Sequence, residues 1–415
     1  MNKQELALQK VGEGKNVFIT GGGGRGKSYL IHRIKDTYSG EVVVCAPSGS
    51  AALLVGGMTA HKMFGLPVEL IEDGDEQKYG KTMVSLFSNN VVKKIIIDEV
   101  SMLRVDYFTL IDKKLRSIKN KDVPFGGLQI IVVGDFYQLD PVLGFREKEV
   151  FNEQYDSTFA FTSESWNFET VNLDVNHRQV NKRQIALLDS IRVKDKNYRK
   201  AIDILNSESK EYDPTEDVVH LCCYKKDADQ VNRYWYKKLN TPEKVYEASI
   251  EGAFGKSEYP VNKKLRLKIG ARVMVKVNDP YGKYVNGDVG TVESMKDNCV
   301  TVMLKSGSRI YLSPTVWEKK SYANKMGRIS DTTDASFTQI PLKLAYGNTV
   351  HSAQGCTLDD VVIDFGMGCF SAGQAYVALS RVKNLSNLSF VDKIHYSDVI
   401  CSKEVKDFYN NIGGL

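Results

Sequence analysis

One stretch constrains this chain more than any other. Val17-Phe18-Ile19-Thr20 is a short apolar run, Gly21-Gly22-Gly23-Gly24-Arg25-Gly26-Lys27-Ser28 follows it, and Tyr29-Leu30-Ile31-His32 opens a helical pattern. A strand, a glycine-rich turn and a helix starting at Lys-Ser are the context in which G-x-x-x-x-G-K-[ST] binds phosphate. Glycines at 21, 24 and 26 permit a tight curl with the backbone N–H groups pointing inward. Those groups, with the positive end of the next helix, cradle an anion. The expected nucleotide contacts are Gly21, Gly22, Gly23, Gly24, Arg25, Gly26, Lys27, Ser28 and Tyr29. Lys27 reaches the terminal phosphates, and the Ser28 hydroxyl is a ligand for magnesium. A flexible linker would explain neither the strand before the glycines nor the Lys-Ser after them. By itself the stretch says that a nucleoside triphosphate binds, and no more.

A second signal turns binding into chemistry. Lys94-Ile95-Ile96-Ile97 delivers Asp98 and Glu99 at the end of an apolar strand. Asp98 is placed to hold the magnesium through water, and Glu99 to take a proton from the attacking water. Adjacent side chains on a strand point to opposite faces, so this pair requires the strand to end and bend there. A third buried strand, 128–133, runs into Gly134-Asp135-Phe136-Tyr137-Gln138-Leu139-Asp140. Gln138 at that strand end is a candidate sensor of the terminal phosphate. Phe136 and Tyr137 suit base stacking or the core, and a ring alone favours the core. Leu173-Asp174-Val175-Asn176-His177-Arg178 reads as a strand leading to an arginine, and Arg178 is a candidate clamp on the transferring phosphoryl group.

The rest of the chain alternates in the same manner. Gln4, on a helix expected within 1–16, has an amide that both donates and accepts, which suits an adenine edge. Val42-Val43-Val44-Cys45-Ala46 reads as a strand buried on both faces, followed by Pro47 and Ser48. Thr59 and His61 place a hydroxyl and an imidazole after it, a pairing that suits phosphates and sugars, although a packed histidine is the commoner case. Residues 67–90 are polar and irregular, as in a small insertion. Residues 181–240 read as helices and one strand. Over 241–340 short alternating runs separated by turn signals point to a small antiparallel β-barrel or sandwich. Its basic run, Lys263, Lys264, Arg266 and Lys268, fits a nucleic-acid face or a solvated one equally. From Pro341 the helix–strand pattern returns, with His351 before the strand 361–365 and Arg381, a second clamp candidate, on a late helix.

Composition bounds the reading. With 415 residues, 42% hydrophobic and 26% charged, about two to four compact globular units are expected. A net charge of +5 permits nucleic acid without arguing for it. No apolar run approaches the roughly 20 residues that span a bilayer, so no membrane partner is expected. Met1-Asn2-Lys3-Gln4-Glu5 lacks a signal or transit pattern. The expected place is cytoplasmic, either nucleoid-associated or in a host-cell cytoplasm for a viral source. Seven scattered cysteines without a C-x-x-C pair read as reduced thiols.

The ordered series resembles a superfamily 1 helicase of the 5′-to-3′ branch, and more narrowly the petite-integration-frequency (Pif) family, with RecD and phage Dda as cousins. The phosphate loop carries the resemblance, with 46–52, Ile97-Asp98-Glu99-Val100-Ser101-Met102, Pro124-Phe125-Gly126-Gly127 and Gly134-Asp135-Phe136-Tyr137-Gln138-Leu139. His177-Arg178-Gln179, 267–274, 285–287, 341–358 and Tyr376-Val377-Ala378-Leu379-Ser380-Arg381 add to it. The resemblance implies an α/β fold of two RecA-like parallel-sheet P-loop NTPase domains, with ATP and Mg2+ in the cleft between them. It puts the first at 1–64 and 81–178 and the second at 179–240 and 341–415. A strand-separating wedge falls at 65–80 and an SH3-like β insertion at 241–340. It assigns adenine reading to Gln4, catalysis to Lys27, Glu99, Gln138, Arg178 and Arg381, and metal binding to Ser28 and Asp98. Contacts to single-stranded DNA are expected from Pro47, Ser48, Thr59, His61, Phe136 and His351. The implied activity is ATP-driven 5′-to-3′ unwinding by a monomeric motor acting on single-stranded and forked or tailed duplex DNA. The alternative is a DNA-stimulated translocase that displaces proteins without efficient unwinding. Three residues depart from the family pattern: Arg25 for the usual Thr, Asp140 where Pro is common, and Ser352 for the Lys before Gln-Gly.

Overall fold

The structure is a computed structural model. It describes residues 2–413 apart from 68–70, 72, 73, 145, 146, 180, 217, 257, 258, 280, 282, 285, 326, 327, 355 and 356; side chains at 50, 150, 319–332 and 334 are also outside the description. The chain forms two compact units, 1–177 with 319–334 and 403–415, and 178–318 with 335–402.

The first unit is built on strands β1 (Val17–Thr20), β2 (Val42–Ala46), β3 (Met58–Thr59), β4 (Lys94–Ile97), β5 (Gln129–Val133) and β6 (Glu169–Asn172), in the order β3-β2-β4-β5-β1-β6. Every neighbouring pair is parallel. The continuous apolar runs explain this, because a parallel sheet is covered on both faces. On one face Val17, Ile19, Val44, Ile96, Ile131 and Val133 pack with Ala7 and Val11 of helix Lys3–Gly12 and Leu30, Ile31 and Ile34 of helix Lys27–Thr37. Phe18 has the opposite parity. It meets an aromatic cluster, with ring centroids 5.5 Å from Phe136, 5.4 Å from Trp166 and 6.1 Å from Phe408.

Phe408 lies on helix Lys403–Asn411, a segment whose sequence position suggests the second domain. The structure corrects that expectation. The helix's aromatic face stacks Phe408 on Phe161 at 4.2 Å and Tyr409 on Tyr137 at 4.7 Å, so these residues belong to the first unit. A second correction concerns 173–178, expected as strand. Regular pairing ends at Asn172, because the backbone beyond it bonds to the glycine loop instead.

The second unit has a parallel sheet in the order Gly347–Thr349, Val219–Cys222, Val361–Asp364, Leu388–Phe390. Its inserted β module orders five antiparallel strands as Arg309–Leu312, Cys299–Leu304, Val289–Lys296, Arg272–Val275 and Leu342–Leu344. These strands share one core with the pair Glu243–Glu247 and Lys264–Lys268 through Tyr246, Leu265 and Leu267. Three residues of the basic run are paired within the module: Lys264 bonds Glu247 at 2.8 Å, Arg266 bonds Glu243 at 2.7 Å, and Lys268 donates to the Leu239 carbonyl at 2.8 Å. Of the expected wedge at 65–80, residues 68–70, 72 and 73 lie outside the described residues, as do Val285, Gly355 and Cys356 of the motif stretches.

Phe18 is fully buried in the aromatic cluster. Phe18→Ala should destabilise the first unit by about 3–5 kcal/mol, the usual cost of such a truncation. A urea titration checks this through an earlier transition with an unchanged slope.

Candidate active site

The glycine loop follows β1, the strand held between β5 and β6, at the carboxyl edge where open parallel sheets place ligands. Gly21, Gly24 and Gly26 have φ of 144°, 78° and 83°, the three positions at which the sequence reading places the tight curl. At Gly21 a Cβ would stand 2.7 Å from the Leu173 carbonyl oxygen, and at Gly26 it would stand 2.8 Å from the Gln4 amide nitrogen. The segment after β6 braces the loop: Leu173 N donates to Thr20 O and His177 N to Gly24 O, each at 2.8 Å. Arg25 donates to Leu173 O at 3.3 Å. A small hollow of about 50 Å3 is lined by Gln4, Arg25, Leu173, Asp174 and His177 with their neighbours, so the expected adenine reader lies beside the loop. The Lys27 ammonium rests on the Gly21 and Gly22 carbonyls at 2.7 and 3.2 Å. Ser28 and Tyr29 are exposed on the first turn of the following helix.

The carboxylate pair sits where β4 stops at Ile97. Glu99 takes a left-handed conformation (φ 49°, ψ 44°), which an L side chain adopts only at a cost. This bend is the one that two adjacent carboxylates on one strand require. Asp98 is buried, with its N–H on Cys45 O at 2.8 Å and its Oδ1 accepting from Glu99 N at 2.9 Å. Burial, and next the Glu99 charge, push the Asp98 carboxyl upward; Lys27 acts the other way. Ser28 and Asp98 supply a hydroxyl and a carboxylate, the hard oxygen donors that magnesium takes while keeping waters and phosphate oxygens. A divalent cation would return such a carboxyl to its ionised form. The residues therefore fit the ion. Among the described residues no cluster of three His, Cys, Asp or Glu is placed to hold a metal.

Gln138 is held in place by its own loop. Its amide donates to Asp135 Oδ2 at 3.1 Å, while Tyr137 N donates to Asp135 Oδ1 at 3.2 Å. Asp135 was not singled out in the sequence; its place in the Gly-Asp-Phe-Tyr-Gln run was the available signal.

Both arginines lie in the second unit and converge on one residue. Arg178 donates to Ser380 O at 2.9 Å. Arg381 is 2% exposed, and it donates from Nε to Val377 O and from Nη2 to Ser380 Oγ, both at 2.8 Å. It follows helix Gln374–Leu379 instead of lying on it as expected, because the helix closes with Ser380 at its cap. Gln179, which sequence reasoning passed over as a site residue, joins them by donating to Val382 O at 2.7 Å.

The expected DNA contacts separate into three places. Pro47, Ser48 and His61 line one cavity of about 300 Å3 with Arg104, Tyr107 and Glu147. The hydroxyls of Ser48 and Thr59 cap the helices Gly49–Leu54 and Ala60–Phe64. Burial, and next Arg104, hold the His61 imidazole below its ordinary pKa, so it is neutral near pH 7. His351 lies in the second unit, stacked at 6.3 Å on the exposed Phe370. Phe136 is corrected: at 1% exposure its ring is core, packed edge-on against Phe161 at 4.9 Å.

A phosphate-binding glycine loop with a carboxylate pair at the next strand end, on a parallel α/β sheet, defines a P-loop nucleoside triphosphatase fold. Comparison narrows the class. A family described as PIF1-like helicase matches residues 2–201. The ATP-dependent DNA helicase Pif1 of Bdellovibrio bacteriovorus is 32% identical over 429 residues, covering 100% of this chain and 92% of that protein. The crystal structure of Bacteroides sp Pif1 in complex with ADP-AlF4 superposes with a TM-score of 0.90 at 31% identity, over 100% of this chain and 97% of that one. Bacteroides Pif1 bound to ssDNA gives 0.70 at 32% identity, over 99% and 97%. The chain belongs to the PIF1-like helicase family. No helix among the described residues is long and apolar enough to cross a membrane.

Asp140 stands where proline is common in the family pattern. Its Oδ1 is buried without a hydrogen-bond partner, and burial, with the Glu404 charge second, pushes its carboxyl up to about 6. A carboxyl whose pKa is raised on folding contributes stability below its unfolded pKa and loses it as pH rises through the folded value. Asp140→Asn should therefore raise the melting temperature at pH 7.5 by about 2–6 °C. The gain should shrink as pH falls through 6 toward 4, measured by thermal melts across that range.

Proposed function

We propose that this chain is an ATP-driven DNA helicase that moves 5′ to 3′ on single-stranded DNA and opens tailed or forked duplex. The observation that carries the reading is the set of groups at the strand ends of one sheet: the Lys27 loop after β1, Asp98 and Glu99 after β4, and Gln138 after β5. Phosphoryl transfer needs positioning and charge stabilisation more than covalent chemistry, and these groups fit that need. Lys27 takes the terminal phosphates, Ser28 and Asp98 hold magnesium, which neutralises phosphate charge, and Glu99 receives the proton of the attacking water. Gln138 senses the γ-phosphate. Arg178 and Arg381 answer the charge of the transferring group, and hydrolysis removes that charge, which is the step we couple to movement along the strand.

The DNA partner is supported by the relatives' names and by the single strand bound to Bacteroides Pif1. The cavity at Pro47, Ser48 and His61 is the surface we assign to it in the first unit, and His351 with Phe370 in the second. Backbone contacts of this kind grip without reading sequence. One chain supplies the loop, both carboxylates and both arginines, so we take the motor as a monomer. Free thiols at the described cysteines are in keeping with a reducing cytoplasm.

The test is ATP hydrolysis with and without single-stranded DNA, beside unwinding of duplexes with a 5′ or a 3′ tail. DNA-stimulated hydrolysis with opening of the 5′-tailed duplex alone is expected. Stimulation without opening would replace the reading by that of a translocase. Wild-type hydrolysis no greater than that of Lys27→Ala would overturn it. Glu99→Gln should lower kcat by about 10²–10⁴, the usual range for a lost general base, while fluorescent ADP binding persists.

A further inference from the structure

Strands β1 and β5 run side by side, and their last shared backbone bond is Gly134 N to Ile19 O at 3.1 Å. Beyond it they part. One continues into the glycine loop that carries Lys27, the other into the loop that carries Gln138. A side chain distant in sequence joins them at that fork. The Tyr409 hydroxyl lies 2.8 Å from Thr20 Oγ1 and accepts from Phe136 N at 3.2 Å. A phenol has one hydrogen; with Phe136 donating to its oxygen, that hydrogen is available to Thr20 Oγ1. Thr20 immediately precedes Gly21, and Phe136 immediately follows Asp135, whose carboxylate holds Gln138. Tyr409 is 1% exposed, and its ring stacks on Tyr137 at an interplanar angle of 12°. Its helix is anchored independently by buried Val405 and by Phe408 on Phe161.

We propose that Tyr409 is a positioning residue for ATP hydrolysis, its hydroxyl setting the spacing between the phosphate loop and the Gln138 loop. The inference rests on the hydrolase reading above. Nucleotide binding by the loop's own amides and Lys27 does not need that spacing. Turnover does, because small displacements of a group acting on the reacting phosphate are costly.

Tyr409→Phe removes the hydroxyl and keeps the stacked ring. The expected result is a fall of about tenfold in kcat for DNA-stimulated ATP hydrolysis, with KM for ATP and single-strand affinity within about twofold of wild type. Thr20→Val, which deletes the partner oxygen at the same volume, should lower kcat similarly. The double variant should be little worse than either single one, as for two ends of one interaction. Phe408→Leu serves as a control that weakens the helix packing: its melting temperature should fall while kcat holds. If Tyr409→Phe melts earlier but keeps wild-type kcat, or if the two substitutions multiply independently, the positioning role is wrong. Wild-type hydrolysis equal to that of Lys27→Ala would instead remove the parent reading, and this proposal with it.

Discussion

A glycine run can cradle phosphate only while its amides are held pointing inward, and glycine's own freedom works against that. Here the constraint comes from a second piece of backbone. Residues 173–177 lie along the loop, bonded to Thr20 O at one end and Gly24 O at the other. The Leu173 carbonyl sits where any side chain at Gly21 would have to go. The same carbonyl takes the Arg25 guanidinium, so one of the three residues that depart from the family pattern is tied into the brace. The loop therefore inherits its shape from β6, a strand more than a hundred residues away. Its glycines are needed as much for close approach as for positive φ.

The site sets burial against charge. Asp98 is carried into a dry place by three isoleucines, and the energetic consequence is an upward push on its carboxyl. Such a group is poor as a lone anion and well suited to a cation, since the desolvation that disfavours its charge strengthens its pull on a positive ion. Glu99 escapes the same burial because the chain turns left-handed under it. One residue of backbone strain thus separates two carboxylates that the sequence places side by side.

Most of this frame was legible because its signals are local. Unbroken apolar runs read as the buried strands β2, β4 and β5, the glycine pattern marked the three positive-φ positions, and the Asp-Glu pair implied its own bend. The β insertion announced itself by alternation and turn residues. The failures share a cause of another kind. Phe136 could stack on a base or enter a core, and only the rings brought in from 159–166 and 408–409 decide for the core. The C-terminal helix could not be assigned to a unit from its own amphipathic pattern, since the surface it covers is assembled from β1 and the 136–137 loop. Segment 173–178 looked like strand because its alternation is real, but its hydrogen bonds go to a loop, and periodicity does not name a partner.

The arginines show what a short motif can mean physically. Arg381 is almost wholly buried, and a guanidinium cannot shed its charge, so its donors must find acceptors. Val377 O and Ser380 Oγ provide them, and Ser380 O takes Arg178 as well. Val377 and Ser380 are therefore a small acceptor platform on which two cations rest through backbone and hydroxyl oxygens. Such neutral oxygens fix the direction of a guanidinium through the rigid geometry of its donors. Tyr376-Val377-Ala378-Leu379 makes the helical turn that presents those oxygens, which is reason enough for this run to read as one unit in the sequence.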